Sequence, residues 1–313
     1  MPAGSIVVLG GGGFVGRHVV SKLVSDTYRV VVPTRRREAV KHLIVLPTVD
    51  VVEEDIHDPK VLERLFAGCE AVINLTGIIG ELGRDTFDRV HVELTRKVIG
   101  ACHHAGVPRL LHMSALGASA DGPSRYLKSK AAAEAMVAAS GLKWTVFRPS
   151  VIFGPEDNFL NMFARIARIA PVVALAAPKA RFQPVYVGDV ALCFVRALND
   201  EITFGGRYDL CGPKVYTLQE LVAYVGETAG TVRPILTLGP GLSSVMAGIL
   251  EHLPGRILTR DNLASMRKDN VCDCPFPAVF GVAPTALESI APSYLSPGAQ
   301  RSPFDRYRAE SGR

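Results

Sequence analysis

The sequence predicts an α/β protein: a doubly wound parallel sheet with a smaller C-terminal lobe. Three observations predict it. Short apolar, β-branched runs alternate with stretches of helical period through the first half of the chain, which is the pattern of repeated βαβ units. The first of these runs leads straight into four consecutive glycines at positions 10 to 13. At 313 residues, 48% hydrophobic and 21% charged, the chain has the length and composition of about two globular domains.

In order, 5–10 (SIVVLG) reads as a buried strand and 11–25 as a glycine turn opening a helix. Strands follow at 28–34 and 49–56, a short helix closed by Gly68 at 62–68, and a fourth strand at 70–77. From 85 to 104 a longer amphipathic helix carries Phe87, Val90, Leu94, Val98 and Cys102 on one stripe. A fifth strand (107–115), a helix (124–140) and a sixth strand with its exit (141–154) complete a dinucleotide-binding domain over 1–154. Strand and helix repeated in this order give a parallel sheet covered on both faces.

After Pro155 the regularity is lost. A basic amphipathic helix (158–170), a Pro-bounded apolar stretch (171–178), a strand turning into a helix (182–198), and a strand with a capped helix (208–230) fit a lobe over 155–295. One of its strands is expected to return to the main sheet. Residues 296–313 are polar enough to be a disordered tail. Arg165 and Arg168 flank an apolar face of Phe163, Ile166 and Ile169. That face reads as lobe core under snorkelling arginines, with a membrane-surface or partner-docking helix as the alternative. Residues 236–250 (LTLGPGLSSVMAGIL) raise the same question and are too short to span.

Composition excludes several classes. A net charge of +5, from 35 basic and 30 acidic residues, is too mild for a nucleic-acid binder. No run approaches the ~20 apolar residues of a spanning helix. The N-terminus (MPAGSIVVLG) lacks a basic region followed by an apolar one, so a cytoplasmic protein is expected, with peripheral membrane association left open. The six cysteines are spread over a large chain and are expected to be reduced thiols. Cys272 and Cys274 form the one close pair and lack matching ligands, and adjacent His103 and His104 point apart on a helix, so no metal site is expected.

The glycine run fits Gly10-x-x-Gly13-x-x-Gly16 between a strand and a helix, as a Rossmann-type pyrophosphate cradle requires. Glycine allows the backbone to approach the pyrophosphate, which then sits on helix N–H groups. The end of the second strand reads TRRRE, with Arg35, Arg36 and Arg37 before any acid. Arginine there suits a 2′-phosphate, so NADP(H) is favoured over NAD(H). Asp55 and Ile56, after the third strand, are placed to meet adenine; Asn74, Leu75, Thr76 and Gly77, after the fourth, to line the middle of the cofactor.

Tyr126 and Lys130 stand at i and i+4 on one helix face, and Ser114 ends the fifth strand. A nearby lysine cation favours phenolate, bringing tyrosine toward a useful acid/base range. It can also hold the nicotinamide ribose, and a serine hydroxyl can hold the substrate oxygen. Ser114, Tyr126 and Lys130 are the candidate catalytic residues.

With these residues in place, the chain resembles the extended and atypical short-chain dehydrogenase/reductases. The resemblance runs over about 5–230 through GGGGFVG, TRRR, DIHDP, NLTG, MSALG, YLKSK, FRPSVIFG and QPVYVGDVA. VHVELTRKVIGAC, RLLHMSALGA, RPSVIFGPEDNFLN and LESIAPSYL are similar, more narrowly, to the atypical group that includes the nucleotide-binding accessory subunit of respiratory complex I. The resemblance implies bound NADP(H), adds Phe14, Val15, Pro149 and Ser150 to the cofactor contacts, and puts Ser114, Tyr126 and Lys130 on the family's triad. One departure is His91, where such enzymes usually have an Asn supporting the lysine. The expected function is an oxidoreductase acting on a carbonyl or alcohol of unknown identity. Two alternatives stay open: a non-catalytic, cofactor-binding accessory or assembly subunit of a respiratory NADH:quinone oxidoreductase, in peripheral contact with that complex, and a nucleotide-sugar epimerase or dehydratase.

Overall fold

The β-branched runs of the first half assemble into one seven-stranded parallel sheet. The computed structural model describes residues 5–252 and 258–298. Strand β1 (Ser5–Leu9) leads through the glycine turn into α1 (Phe14–Ser25); β2 (Arg29–Thr34), a short α2 (Lys41–Ile44) and β3 (Val49–Glu53) follow. Then come α3 (Pro59–Phe66), β4 (Cys69–Asn74), α4 (Leu94–Ala105), β5 (Arg109–Met113), α5 (Arg125–Ala138) and β6 (Lys143–Pro149). Asp58 caps α3 through the Lys60 N–H, ahead of Pro59 at the first helical position. A π-helical turn, Asp88–Glu93, enters α4.

Beyond β6 the chain forms β7 (Ile152–Phe153), α6 (Phe159–Ile169), β8 (Val173–Leu175), β9 (Arg181–Phe182) and β10 (Val185–Tyr186). It then makes α7 (Val187–Ala197) and β11 (Gly206–Leu210), and β11 pairs with β6. The sheet order is β11-β6-β5-β4-β1-β2-β3. The direction of winding reverses between β1 and β4, the switch point at whose carboxyl ends open α/β sheets bind ligands. One face buries Val7, Leu62, Phe66, Leu94, Val98 and Val137 under α3, α4 and α5. Elsewhere Phe147 packs on Phe194 of α7, ring centroids 4.2 Å apart.

Two compact units result. The first takes residues up to 149 with 187–210 and 272–283; the second takes 150–186, 211–271 and those from 284 on. The chain therefore passes between units repeatedly, whereas the sequence reading placed one boundary at 154. The second unit adds β12 (Tyr216–Thr217), α8 (Leu218–Thr228), β13 (Ile235–Thr237), α9 (Pro240–Leu250), α10 (Arg260–Ser265), α11 (Leu287–Ile290) and α12 (Pro292–Leu295). Thr217 and Glu220 form a capping box on α8. Leu160, Phe163, Leu175, Phe182, Leu221 and Leu287 belong to its core. From residue 299 the expected tail lies outside the described residues. No helix among the described residues is long and apolar enough to cross a membrane.

One expectation is corrected. Cys211 and Cys272 are disulfide-bonded, while Cys69, Cys102, Cys193 and Cys274 are free. Spacing shows only near neighbours along the chain, of which 272/274 is the one cysteine pair, and says nothing of the oxidation state of Cys211 and Cys272.

Candidate active site

The cradle is built by close backbone approach. Gly10 stands at φ +77°, a left-handed conformation that favours glycine. The Gly13 N–H donates to Gly10 O at 3.0 Å, and Gly13 begins α1 with no side-chain cap. A Cβ on Gly16 would fall 2.2 Å from Gly10 O, so only glycine lets α1 come this close to the turn. No acid occupies the first turn of α1, which leaves its N–H groups and dipole facing an anion. This cradle fits a dinucleotide pyrophosphate. Phe14 is half-buried and Val15 buried as α1 starts.

At the outer strands, Arg35, Arg36 and Arg37 are exposed. Arg35 Nη1 pairs with Asp85 Oδ2 at 3.0 Å, the Arg36 N–H donates to Thr34 Oγ1, and the Arg37 N–H donates to Glu53 Oε2 at 2.9 Å. Asp55 accepts from the His57 N–H at 2.9 Å, and Ile56 packs against the sheet core. Leu75 continues β4 by donating to Leu9 O. Asn74 Oδ1 accepts from both the amide and the hydroxyl of Thr76.

The triad candidates lie at neighbouring ends of β5 and α5. Ser124 caps α5 by accepting the Leu127 N–H, and the helix presents Lys130 and Glu134 inward. Lys130 Nζ donates to Met113 O at 3.1 Å, the carbonyl just before Ser114. A Cβ on Gly77 would lie 3.0 Å from the same Nζ and 3.5 Å from His91 Nε2. Ser114 donates its N–H to Phe147 O, and its buried hydroxyl lies toward the Glu134 carboxylate, which it helps to keep ionised. The Tyr126 ring meets Phe87 and His91 edge-on, at 5.8 and 5.7 Å between centroids. Pro149 accepts from the Leu116 N–H at the end of β6. Ser150 belongs to the second unit, where its hydroxyl binds Asn270 Oδ1 at 2.6 Å.

His91 joins three pieces of this site. Its Nε2 accepts the Ile78 N–H at 3.1 Å, so in the neutral ring Nδ1 carries the proton and donates to Ser129 Oγ at 2.8 Å. Ser129 Oγ in turn donates to Tyr126 O at 2.7 Å. The π-helical turn carries His91 into this position, and Phe87 stacks on it at 5.6 Å. Burial, then Lys130 and His112, pull its pKa down to about 2. His112 takes an Asn74 Nδ2–H on Nδ1 at 3.3 Å, so its proton sits on Nε2, which is buried without a partner.

Burial also pushes Tyr126 up to about 12 and draws Lys130 down to about 8. The sequence reading expected the lysine to lower the tyrosine; in the structure, desolvation of the phenolate dominates. One turn beyond Lys130, burial would raise Glu134, but Arg148, then the Ser114 hydroxyl and Arg207, hold it below the usual carboxylate range. Arg148 Nε donates to Glu134 at 2.9 Å and Arg207 Nε at 2.7 Å. Sequence reasoning missed Ser129, Glu134 and the Asn74–His112 pair. The available signals were Glu134 at Lys130 plus four and a histidine inside an apolar strand. Among the described residues no group of three or more His, Cys, Asp or Glu could hold a metal ion.

Comparison with known proteins follows the same lines. A family described as NAD(P)H-binding matches residues 10–159, and the 3-beta hydroxysteroid dehydrogenase/isomerase family matches 119–216. The mouse mitochondrial NADH dehydrogenase [ubiquinone] 1 alpha subcomplex subunit 9 is 33% identical, over 90% of this chain and 77% of its own. The Arabidopsis thaliana protein of that name is 36% identical over 68% of this chain, which spans 55% of that relative. A ceramide reductase of Caulobacter vibrioides is 33% identical over 60% of this chain and 59% of its own. Among solved structures, Pal from Bacillus thuringiensis shares the fold with a TM-score of 0.73 at 19% identity, over 93% of this chain and 98% of that one. The Bordetella bronchiseptica enzyme WbmH, solved with NAD+, does so at 0.63 and 23%, over 76% and 86%.

Proposed function

The chain belongs to the NAD(P)-binding, short-chain dehydrogenase/reductase-like family that contains subunit 9 of the NADH dehydrogenase alpha subcomplex, and we propose that it moves hydride between NADP(H) and a carbonyl or alcohol substrate. The observation that carries this reading is buried Lys130, whose Nζ donates to Met113 O next to Ser114 and borders Gly77, one turn after Tyr126 on the same helix. NADP(H) would lie on Gly10, Gly13 and Gly16, with Arg35 and Arg36 toward its 2′-phosphate; when bound, it supplies or takes the hydride. The chain handles the proton. With a pKa of about 12, Tyr126 is a neutral phenol near pH 7 and can give its proton to the substrate oxygen. One C–H and one O–H bond form, the carbonyl double bond becomes single, and an alcohol results. Ser114 Oγ, buried beside the Glu134 carboxylate, can hold that oxygen. Lys130, anchored on Met113 O, would meet the cofactor ribose with its ammonium group. The ceramide reductase relative favours the reductive direction.

A second reading, a cofactor-holding accessory subunit of a respiratory NADH:quinone oxidoreductase, is favoured by the mouse and Arabidopsis relatives. One experiment separates the two. The dinucleotide carried by the purified protein is released and identified by mass, and wild type and Arg35→Ala are titrated with NADPH and NADH. On the enzyme reading NADPH exchanges freely, and Arg35→Ala weakens it about tenfold by removing a charge-assisted contact, leaving NADH unchanged. NADPH oxidation with carbonyl substrates then falls at least about a hundredfold in Tyr126→Phe. Stoichiometric NADP(H) that neither exchanges nor oxidises favours the accessory subunit. A preference for NADH overturns the assignment of the arginines.

A further inference from the structure

We propose that the exposed apolar face of α9 and the segments beside it dock this chain, in plane, on a lipid bilayer that carries anionic headgroups. The proposal is independent of turnover and goes beyond the function proposed above.

Helix α9 (PGLSSVMAGIL) contains no charged residue. One side is used inside the second unit: Ser243 and Ala247 are buried, and Met246 and Leu250 pack on the small cluster of Ala176, Ala247 and Leu258. The other side carries Leu242, Val245 and Ile249 at i, i+3 and i+7, which are 65%, 59% and 60% exposed. An uncharged helix with apolar side chains on both sides belongs in a core or in lipid, and this one, with Ser244 exposed at its edge, is covered on one side only.

The apolar face continues into the segments next to it. The Leu238 N–H, just before α9, donates to Leu175 O of β8. On β13, Leu236 stands opposite Ala174 of β8, and it is exposed, as are Val232 and Ile169. Isolated exposed apolar side chains are ordinary, but a run shared by adjoining elements marks an interaction surface.

Charge selects the occupant. Residues 159–180 and 228–250 hold Arg165, Arg168, Lys179 and Arg233 and not one Asp or Glu. All four basic side chains are exposed. Arg233 Nε donates to Ala167 O at 3.0 Å, which fixes its loop against the last turn of α6 beside Arg168 and Ile169. Of the acids that adjoin these segments in sequence, Glu251 pairs with Arg260 at 3.5 Å, and Glu227 lines a hollow with Lys214, Tyr216 and Tyr224. A second copy docked face to face would set these cations against themselves. An anionic bilayer offers both an apolar layer and the opposite charge. Eleven residues are too few to span, so α9 would lie along the interface.

The test is sedimentation of the full chain with phosphatidylcholine vesicles, with and without phosphatidylglycerol. Wild type is expected to bind the mixed vesicles, and less so in high salt. Leu242→Ser/Val245→Ser/Ile249→Ser is expected to lose about tenfold or more in partitioning with an unchanged thermal midpoint, since the three side chains are exposed. Arg165→Ala/Arg168→Ala is expected to lose the preference for phosphatidylglycerol. Equal binding of wild type and the triple variant overturns the proposal. So does a wild type that ignores vesicles, whether it is a dimer that the triple variant makes monomeric or a monomer, which would point to a protein partner.

Discussion

His91 holds three elements through one neutral ring: the Ile78 N–H of the β4 exit, Ser129 of α5, and its own π-helical turn. His91→Phe keeps the stack on Phe87 but leaves the part-buried Ile78 N–H without its acceptor and Ser129 Oγ without the donor it accepts from. The expected cost is about 2–3 kcal/mol, read as a lower urea midpoint at unchanged slope. Weaker NADPH binding should accompany it, because the ring also borders Gly77 and Lys130. A variant as stable as wild type would mean that water replaces the ring. His91 was legible in the sequence as a departure from an expected Asn. Its partners were not, because Ile78 contributes only backbone, which carries no sequence signal, and Ser129 lies between Lys128 and Lys130 on what reads as helix surface. The triad positions were legible through i, i+4 spacing, whereas the raised Tyr126 pKa depends on burial that spacing does not report.

Elements form where the apolar period meets a steric requirement, and the glycines separate these two causes. Gly16 on α1 has Gly10 O where a side chain would go; Gly100 on α4 faces open space. Gly16→Ala should push α1 off the glycine turn, costing about 3 kcal/mol by overpacking and abolishing dinucleotide binding. Gly100→Ala should stabilise by about 0.5–1 kcal/mol through helix propensity and lost chain entropy. Thermal melts with an NADPH titration check both, and similar behaviour of the two variants would refute the steric account. The same logic explains which elements could be read in advance. Phe87, Val90, Leu94, Val98 and Cys102 are all buried, as their stripe requires. The π-helical turn at Asp88–Glu93 left no mark, because a wider turn keeps those residues on the inner face. In the second unit, strands of two or three residues such as β9 and β10 are too short for alternation to register.

At the scale of the molecule, long-range pairing decides what sequence could not show. The parallel sheet followed from the order of its runs, but local pattern does not encode which cysteines are oxidised, and Cys211 and Cys272 are. The two buried histidines give the whole fold a pH dependence that can be worked out. His91 and His112 are neutral in the folded chain, with pKa drawn down by burial to about 2 and about 3 from an ordinary 6.5. As pH falls through about 6.5 the unfolded chain takes up these protons and the folded chain does not, so stability present above that pH is lost progressively toward about 3. Each histidine should remove about 2 kcal/mol between pH 7 and pH 5, before paired carboxylates such as Glu134 begin to titrate. Urea unfolding at half-unit steps of pH would show this slope. In His112→Gln, whatever its stability at pH 7, the slope between pH 6.5 and 5 should fall by about half, because one of the two proton uptakes is gone. A wild-type stability that stays flat from pH 7 to 5 would mean that the rings accept protons within the fold, by opening to water or by gaining an acidic neighbour. The site would then be looser than its hydrogen bonds imply, and Lys130 would lie in a wetter environment than the one that draws it to about 8.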